Sequence, residues 1–279
     1  DARGPLPTGE VRIPMADVFV ARAGDDAASI NAGIVGKRAL LLTPAVYSLT
    51  GSISISSAGF VVLGLGFPTL VATAGRSALR VTADAVRVSG VLLEAGTSLD
   101  HGPTGPTEPL LRWVGSGGVG NDVFTRSGAF RYATEHKPSC ERTRADVHVA
   151  IEGDGVTLDN TWAWHADHDD CDGRSDTSLA LHGLVVTGAD VVAIGLQVEH
   201  QMEDLVVWSG ERGQVYMFQS ELPYKYASFK ALGYHVLAGV KEHTVLGGGV
   251  YGIGNMYPIP VGIKLPATAA STAGGAGVE

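Results

Sequence analysis

Cysteine is nearly absent: the 279-residue chain holds two, Cys140 and Cys171. Each stands in a polar, loop-like stretch with little apolar company, so a disulfide between them is expected, with two free thiols as the alternative. A disulfide would fit a secreted or extracytoplasmic protein, although two cysteines do not settle the compartment. Long apolar runs are lacking too, and none approaches the roughly 20 residues of a membrane span. Basic residues are outnumbered, 20 Lys and Arg against 29 Asp and Glu, for a net charge of −9. That balance argues against nucleic acid or an anionic membrane as partner, whereas a neutral polysaccharide meets no such objection. No Gly-x-Ser-x-Gly elbow occurs. The Gly247-Gly248-Gly249 run lacks the Lys-Ser/Thr ending of a phosphate loop and reads as a close backbone packing position. No cofactor is expected. The start shows no charged segment leading into an apolar stretch, so either a signal peptide has been removed or the sequence is a piece of something longer.

What is present points to strands. The chain is 45% hydrophobic and only 18% charged, with 38 glycines and 13 prolines scattered among Val, Leu, Ile and Thr runs. That composition describes a folded, all-β chain of many short strands and frequent turns. A repeat supports it: Val86 to Glu94 aligns with Val191 to Glu199, and Val156 to Trp164 fits the same frame. Related segments begin near Val215 and Val240, at intervals of 24 and 25 residues, which suit the coils of a parallel β-helix. Upstream, Ala39 to Tyr47, Ile53 to Ile55, Phe60 to Leu65 and Leu79 to Val81 read as earlier coils. The spacing of Ala28, Ile30, Ala32 and Ile34 predicts a short helix capping the solenoid's open end. The expected layout is an N-terminal extension over 1–16, a β-helix domain over 17–266 with a long insertion about 97–146, and a Gly/Ala-rich flexible tail over 267–279.

Within that frame two glutamates stand out. Glu199 and Glu221 lie 22 residues apart, about one coil, and alternation places both outward if Leu196 and Val198 point in. Outward neighbours one coil apart are about 4.8 Å from each other, and crowded like charges favour keeping one carboxyl protonated. An acid beside a carboxylate is the pair that glycosidic-bond cleavage uses. The alternative is two solvated acids on the outside of a coil. A second cluster runs from Asp159 to Cys171. Trp162 and Trp164 alternate and so share a face, where they either stack against sugar rings or pack under a neighbouring loop. His165, Asp167, His168, Asp169 and Asp170 offer metal donors, yet their spacing matches no closed metal motif. They read better as hydrogen-bonding loop residues, and no metal is expected.

The strings Leu41-Leu42-Thr43-Pro44-x-Val46-Tyr47, Val62-Leu63-Gly64-Leu65-Gly66-Phe67-x-Thr69-Leu70, Asp159-Asn160-Thr161-Trp162-x-Trp164-x-Ala166-Asp167-His168, Val198-Glu199-His200 and Tyr216-x-Phe218-Gln219-Ser220-Glu221-Leu222-Pro223-Tyr224 carry a resemblance. Over about Val18 to Pro266 the chain resembles the second β-helix domain of glycoside hydrolase family 55, the bacterial-type exo-β-1,3-glucanases. The resemblance implies a right-handed parallel β-helix of the pectin-lyase-like kind and an inverting hydrolysis of β-1,3-glucan. It implies Glu221 as general acid and Glu199 as the residue that places the water. Trp162, Trp164, His165, Asp167, His168, His200, Gln219, Ser220 and Tyr224 are the candidate substrate-binding residues. In that family the pocket lies between two β-helices, and this chain carries one. A second β-helix domain or subunit is therefore the implied partner, and a non-catalytic scaffold or glycan-binding subunit of a larger assembly is the alternative function. The loop from Asp169 to Arg174 also departs from the family's Gly-rich pattern.

Overall fold

A computed structural model describes residues 11–73, 75–96, 106–128, 143–166, 178–224, 230–252 and 261–266. Short apolar-polar alternations form the strands: β1 (Val18–Ala21), β2 (Ala39–Leu42), β3 (Val46–Leu49), β4 (Ile53–Ile55), β5 (Val61–Gly64), β6 (Thr69–Ala72), β7 (Leu79–Val81), β8 (Arg87–Ala95), β9 (Leu111–Trp113), β10 (Val119–Ser127), β11 (Thr143–Ile151), β12 (Thr157–His165), β13 (Ser178–Val186), β14 (Val192–Glu199), β15 (Val206–Trp208), β16 (Gly213–Glu221), β17 (Tyr234–Val236), β18 (His243–Tyr251) and β19 (Ile263–Lys264). One sheet orders β1-β2-β5-β8-β10-β12-β14-β16-β18, with β6 also against β8 and β3 against β6; the other orders β4-β7-β9-β11-β13-β15-β17-β19. The ladders are parallel. Because the chain alternates between the sheets, it winds as a parallel β-helix, as the repeat predicts.

The core is the space between the sheets. Val88, Leu93, Val123, Leu158, Ala193, Leu196, Val198 and Val215 enter it from the first sheet, and Trp113, Leu184, Trp208 and Tyr234 from the second. One end is closed by α1 (Ala27–Gly33), where Asp26 and Ser29 form a reciprocal capping box. Its Ala27 and Ile30 side chains are buried. Its Asn31 side chain donates to the Ser52 carbonyl at 2.8 Å and accepts from the Ser54 N–H at 2.9 Å. These bonds satisfy backbone groups of the β4 edge that would otherwise invite another strand.

The long strands of the first sheet bend at one shared register. Gly90, Asp122, Asn160, Gly195, Met217 and Gly247 all take positive φ, between 50° and 72°. Each stands between pairs of matched neighbours, as Met217 does between Tyr216, opposite Ile194, and Phe218, opposite Leu196. The Asn160 amide donates to Asp122 at 2.5 Å, an interaction short polar side chains offer in left-handed backbone. The bend leaves two outward rows on each long strand.

Two expectations require correction. The stretch 97–146 is not a single insertion, because it contains β9 and β10, a further coil of the solenoid. The inward positions of β10 include Gly120, Thr125 and Ser127, small or polar residues that hide its period of two. The last long strand starts at His243 rather than near Val240. Val240 is 1% exposed and sits in the preceding turn, its N–H on the Leu237 carbonyl at 3.1 Å, so its burial mimics a strand start. The Cys140–Cys171 pairing lies outside the described residues.

Candidate active site

Parallel pairing of β14 with β16 sets Glu199 directly opposite Glu221, as it sets Gln197 opposite Gln219. Leu196 and Val198 beside them are 1% and 0% exposed, so alternation sends the two glutamates to the outer face, as the sequence predicts. One outward row reads Glu94, Arg126, Trp164, Glu199, Glu221, Tyr251 along successive coils. The row behind it reads Leu92, Phe124, Trp162, Gln197, Gln219, Gly249. Aromatic rings thus lead up to the carboxylates from one side. Phe67 stacks on Phe124 with centroids 5.1 Å apart, Phe124 meets Trp162 edge-on at 6.1 Å, and Trp162 stacks on Trp164 at 5.2 Å.

The two carboxyls differ in surroundings. Partial burial pushes the Glu199 carboxyl above its ordinary value, and the neighbouring Glu221 charge adds to the rise. The Trp162 indole N–H, His200 and Gln219 oppose it by favouring the ionised form. The indole N–H leans toward the carboxylate without completing a hydrogen bond of good geometry. Glu221 accepts from the Tyr224 hydroxyl and, at 3.4 Å, from the Gln219 amide. His200 Nε2 lies 3.4 Å from Glu221 Oε2, and the His200 ring meets Tyr224 edge-on at 4.5 Å. Two carboxyls in register, one of them half-buried and the other ringed by hydrogen-bond donors, are an arrangement suited to acid and base work.

Of the sequence-predicted site residues, Glu199, Glu221, Trp162, Trp164, His200, Gln219 and Tyr224 come together. His165 and Ser220 do not share their surface. They are 4% and 0% exposed, pointing inward because each is one residue out of phase with the outward Trp164 and Glu221. His165 Nδ1 lies 2.9 Å from the His200 carbonyl and its Nε2 2.9 Å from Ser178 Oγ, so it contacts no sugar on the outer face. Asp167 and His168 lie outside the described residues. Among the described residues no group of three or more His, Cys, Asp or Glu side chains forms a metal site.

Sequence reading missed three features. Tyr251 stands opposite Glu221, 47% exposed, and its ring covers Gly249, where any Cβ would come within 3.3 Å of it. The absent side chain in the glycine run therefore seats an aromatic ring beside the carboxylates. Arg126 and Glu94 form an ion pair, 15% and 4% exposed at their side chains, at the far end of the same row. Phe67 and Phe124 extend the aromatic strip. The signal for all three was register, which the unrecognised β10 coil obscured for Arg126 and Phe124 and the misplaced start of β18 obscured for Tyr251.

Residues 18–221 match the model of the LAM55 pectate lyase-like domain. The chain is 32% identical over 262 residues to an exo-β-1,3-glucanase of Streptomyces sp. strain SirexAA-E / ActE, covering 90% of this chain and 42% of that protein. Among solved structures it is similar to a glutamate-to-alanine variant of sacteLam55A from the same Streptomyces in complex with glucose. The TM-score is 0.80 at 28% identity, over 92% of this chain and 48% of that one. A further structure of sacteLam55A gives 0.76 at 26% identity with the same coverage. The chain thus spans about half the length of the relatives it matches.

Proposed function

Since the chain belongs to the LAM55 pectate lyase-like domain family, we propose that it is the carboxylate-bearing part of a glycoside hydrolase acting on β-1,3-glucan. The observation that carries this reading is the direct register of Glu199 with Glu221 beside Trp164 on an outward row. In this reading Glu221 protonates the leaving oxygen and Glu199 orients or deprotonates the attacking water, with inversion at the anomeric carbon. Trp162, Trp164 and Tyr224 line the sugar site. An inverting pair needs a water held in place for attack, and a second β-helix domain or subunit is the natural source of further groups to hold it beside Glu199.

The test separates the two roles. Glu221→Gln is expected to abolish release of glucose from laminarin while retaining turnover of an aryl β-glucoside whose good leaving group needs no proton. Glu199→Gln is expected to lose both. The reverse pattern would exchange the assignments, and parental activity in both variants would refute the hydrolase reading. If the folded chain binds laminarin without releasing sugar, and no added partner restores release, it is a glycan-binding module.

A further inference from the structure

We infer that His165, buried on the inner face, is a positioning residue for the site, holding His200 against Glu221. This rests on the reading of Glu221 as a working carboxyl. His200 follows Glu199 at the end of β14 and takes φ +67°, a left-handed backbone that is strained for a non-glycine residue. Such a conformation persists where its surroundings over-determine it, and here three contacts do so. The His200 N–H donates to the Glu221 carbonyl at 2.8 Å. Its own carbonyl takes the 2.9 Å contact from His165 Nδ1, and its ring packs against Tyr224 with Nε2 3.4 Å from Glu221 Oε2.

A carbonyl oxygen only accepts, so Nδ1 of His165 carries the proton. In the neutral ring Nε2 is then an acceptor, and the Ser178 hydroxyl 2.9 Å away donates to it. The His200 carbonyl, which can only accept, fixes this tautomer, and the Ser178 hydroxyl adapts to it. The chain of contacts runs from Ser178 on the second sheet, through His165 on β12, to the turn after β14, and ends on the Glu221 carboxylate of β16. Removing the Nδ1–H leaves the His200 carbonyl without this donor, lets the left-handed residue relax, and turns the imidazole away from Glu221. Among the described residues, the charged and titratable groups facing His200 include Glu221 from β16, Glu199 on its own strand, Tyr224 after β16 and His165 from β12.

The experiment compares His165→Leu, which lacks the donor, with His165→Gln, whose amide N–H retains one. Each is checked for folding by its thermal midpoint. Two readouts follow: kcat and KM on a β-1,3-linked gluco-oligosaccharide, and the NMR chemical shifts of the His200 ring at one pH, with Glu221→Gln as reference for a ring deprived of its carboxylate. His165→Leu is expected to lose about 10- to 100-fold in kcat, as small misplacements of catalytic groups do, with KM changed by less than about threefold. Its His200 ring resonances move away from the parental positions toward those of Glu221→Gln, while His165→Gln keeps parental values. Equal losses in both variants, or parental His200 resonances in His165→Leu, would overturn the inference. If the parental chain hydrolyses nothing, the hydrolase reading fails and the His200 resonances still decide this one. If His165→Leu does not fold, His165→Phe, a ring without the donor, takes its place, expected to move the His200 resonances the same way; unmoved resonances would refute it.

Discussion

Glu199 is stabilised least where it is needed most. Its partial burial and the adjacent Glu221 charge raise its pKa, so the folded chain holds its proton more tightly than the unfolded chain does. The stability that goes with the protonated form is complete below the unfolded-state pKa and is lost as pH rises through the raised folded-state value. At pH 7 the ionised carboxylate is therefore a cost. Glu199→Gln is expected to raise the thermal midpoint at pH 7 by about 1–3 °C, with the gain vanishing near pH 4, while activity is lost. A midpoint that falls at pH 7 would show that Glu199 serves the fold instead. In the parental chain the acidic limb of kcat/KM is expected above the range of an ordinary glutamate, because the water-placing role needs the ionised form.

At the scale of the element, the bent long strand is the unit that makes the site. One left-handed residue per strand turns the second half so that Trp164, Glu199, Glu221 and Tyr251 form a row of their own. The residues at the bend differ in what a side chain would meet. A Cβ on Gly195 finds Asn160 Cα at 3.8 Å, an ordinary contact, whereas on Gly90 it meets the Gly64 carbonyl at 2.9 Å. Gly195→Ala should then cost only the backbone strain, about 1 kcal/mol. Gly90→Ala should cost about 2 kcal/mol or more, because the clash adds to the strain. Urea unfolding of the two variants gives the difference directly, and equal costs would show that coil spacing near Gly64 yields freely. The short helix was legible from the spacing of Ala28, Ile30, Ala32 and Ile34, whereas its Asp26–Ser29 capping box was found only in the structure. That Asn31 would bond the β4 edge was not legible either, because the contact joins residues from different coils.

At the scale of the whole molecule, the solenoid carries polar groups in its interior, and these set its acid tolerance. Complete burial lowers the pKa of His148 to about 3, with the nearby His165 adding to the effect. Its ring is held between Thr125 and Ser127 at 3.0 Å each. Burial lowers that of His243 to about 4, with the Tyr234 hydroxyl 2.8 Å from its Nε2. Both histidines fold as neutral rings, so their contribution is intact above the unfolded value of about 6.5. It is lost as pH falls from there toward 3 or 4, because only the unfolded chain then takes up the proton. The loss is roughly 1.4 kcal/mol per pH unit for each ring. The thermal midpoint should therefore drop steeply between pH 6.5 and 4.5, and His148→Asn should flatten that limb even if it lowers the plateau. An unchanged slope in the variant would place the acid sensitivity elsewhere. The same scale holds the largest functional question, since the chain spans about half of its glucanase relatives and its carboxylate row faces outward.

Local rules reach as far as the strand. Alternation told that Leu196 and Val198 turn in and Glu199 and Glu221 turn out, and a separation equal to one coil placed the two carboxyls together, because both facts follow from the pleat and the strand spacing. Which segments make a coil was decided only in three dimensions. Connections between strands vary in length, so the chain distance from Val86 to Val156 does not reveal that β10 stands between them; the hydrogen-bond ladder sets that register. The ladder likewise brings Tyr251 to Glu221 and Arg126 to Glu94, and the closed interior turns His165 from a surface candidate into an inner support of His200. Sequence determined the face of each side chain, and tertiary structure determined its neighbours.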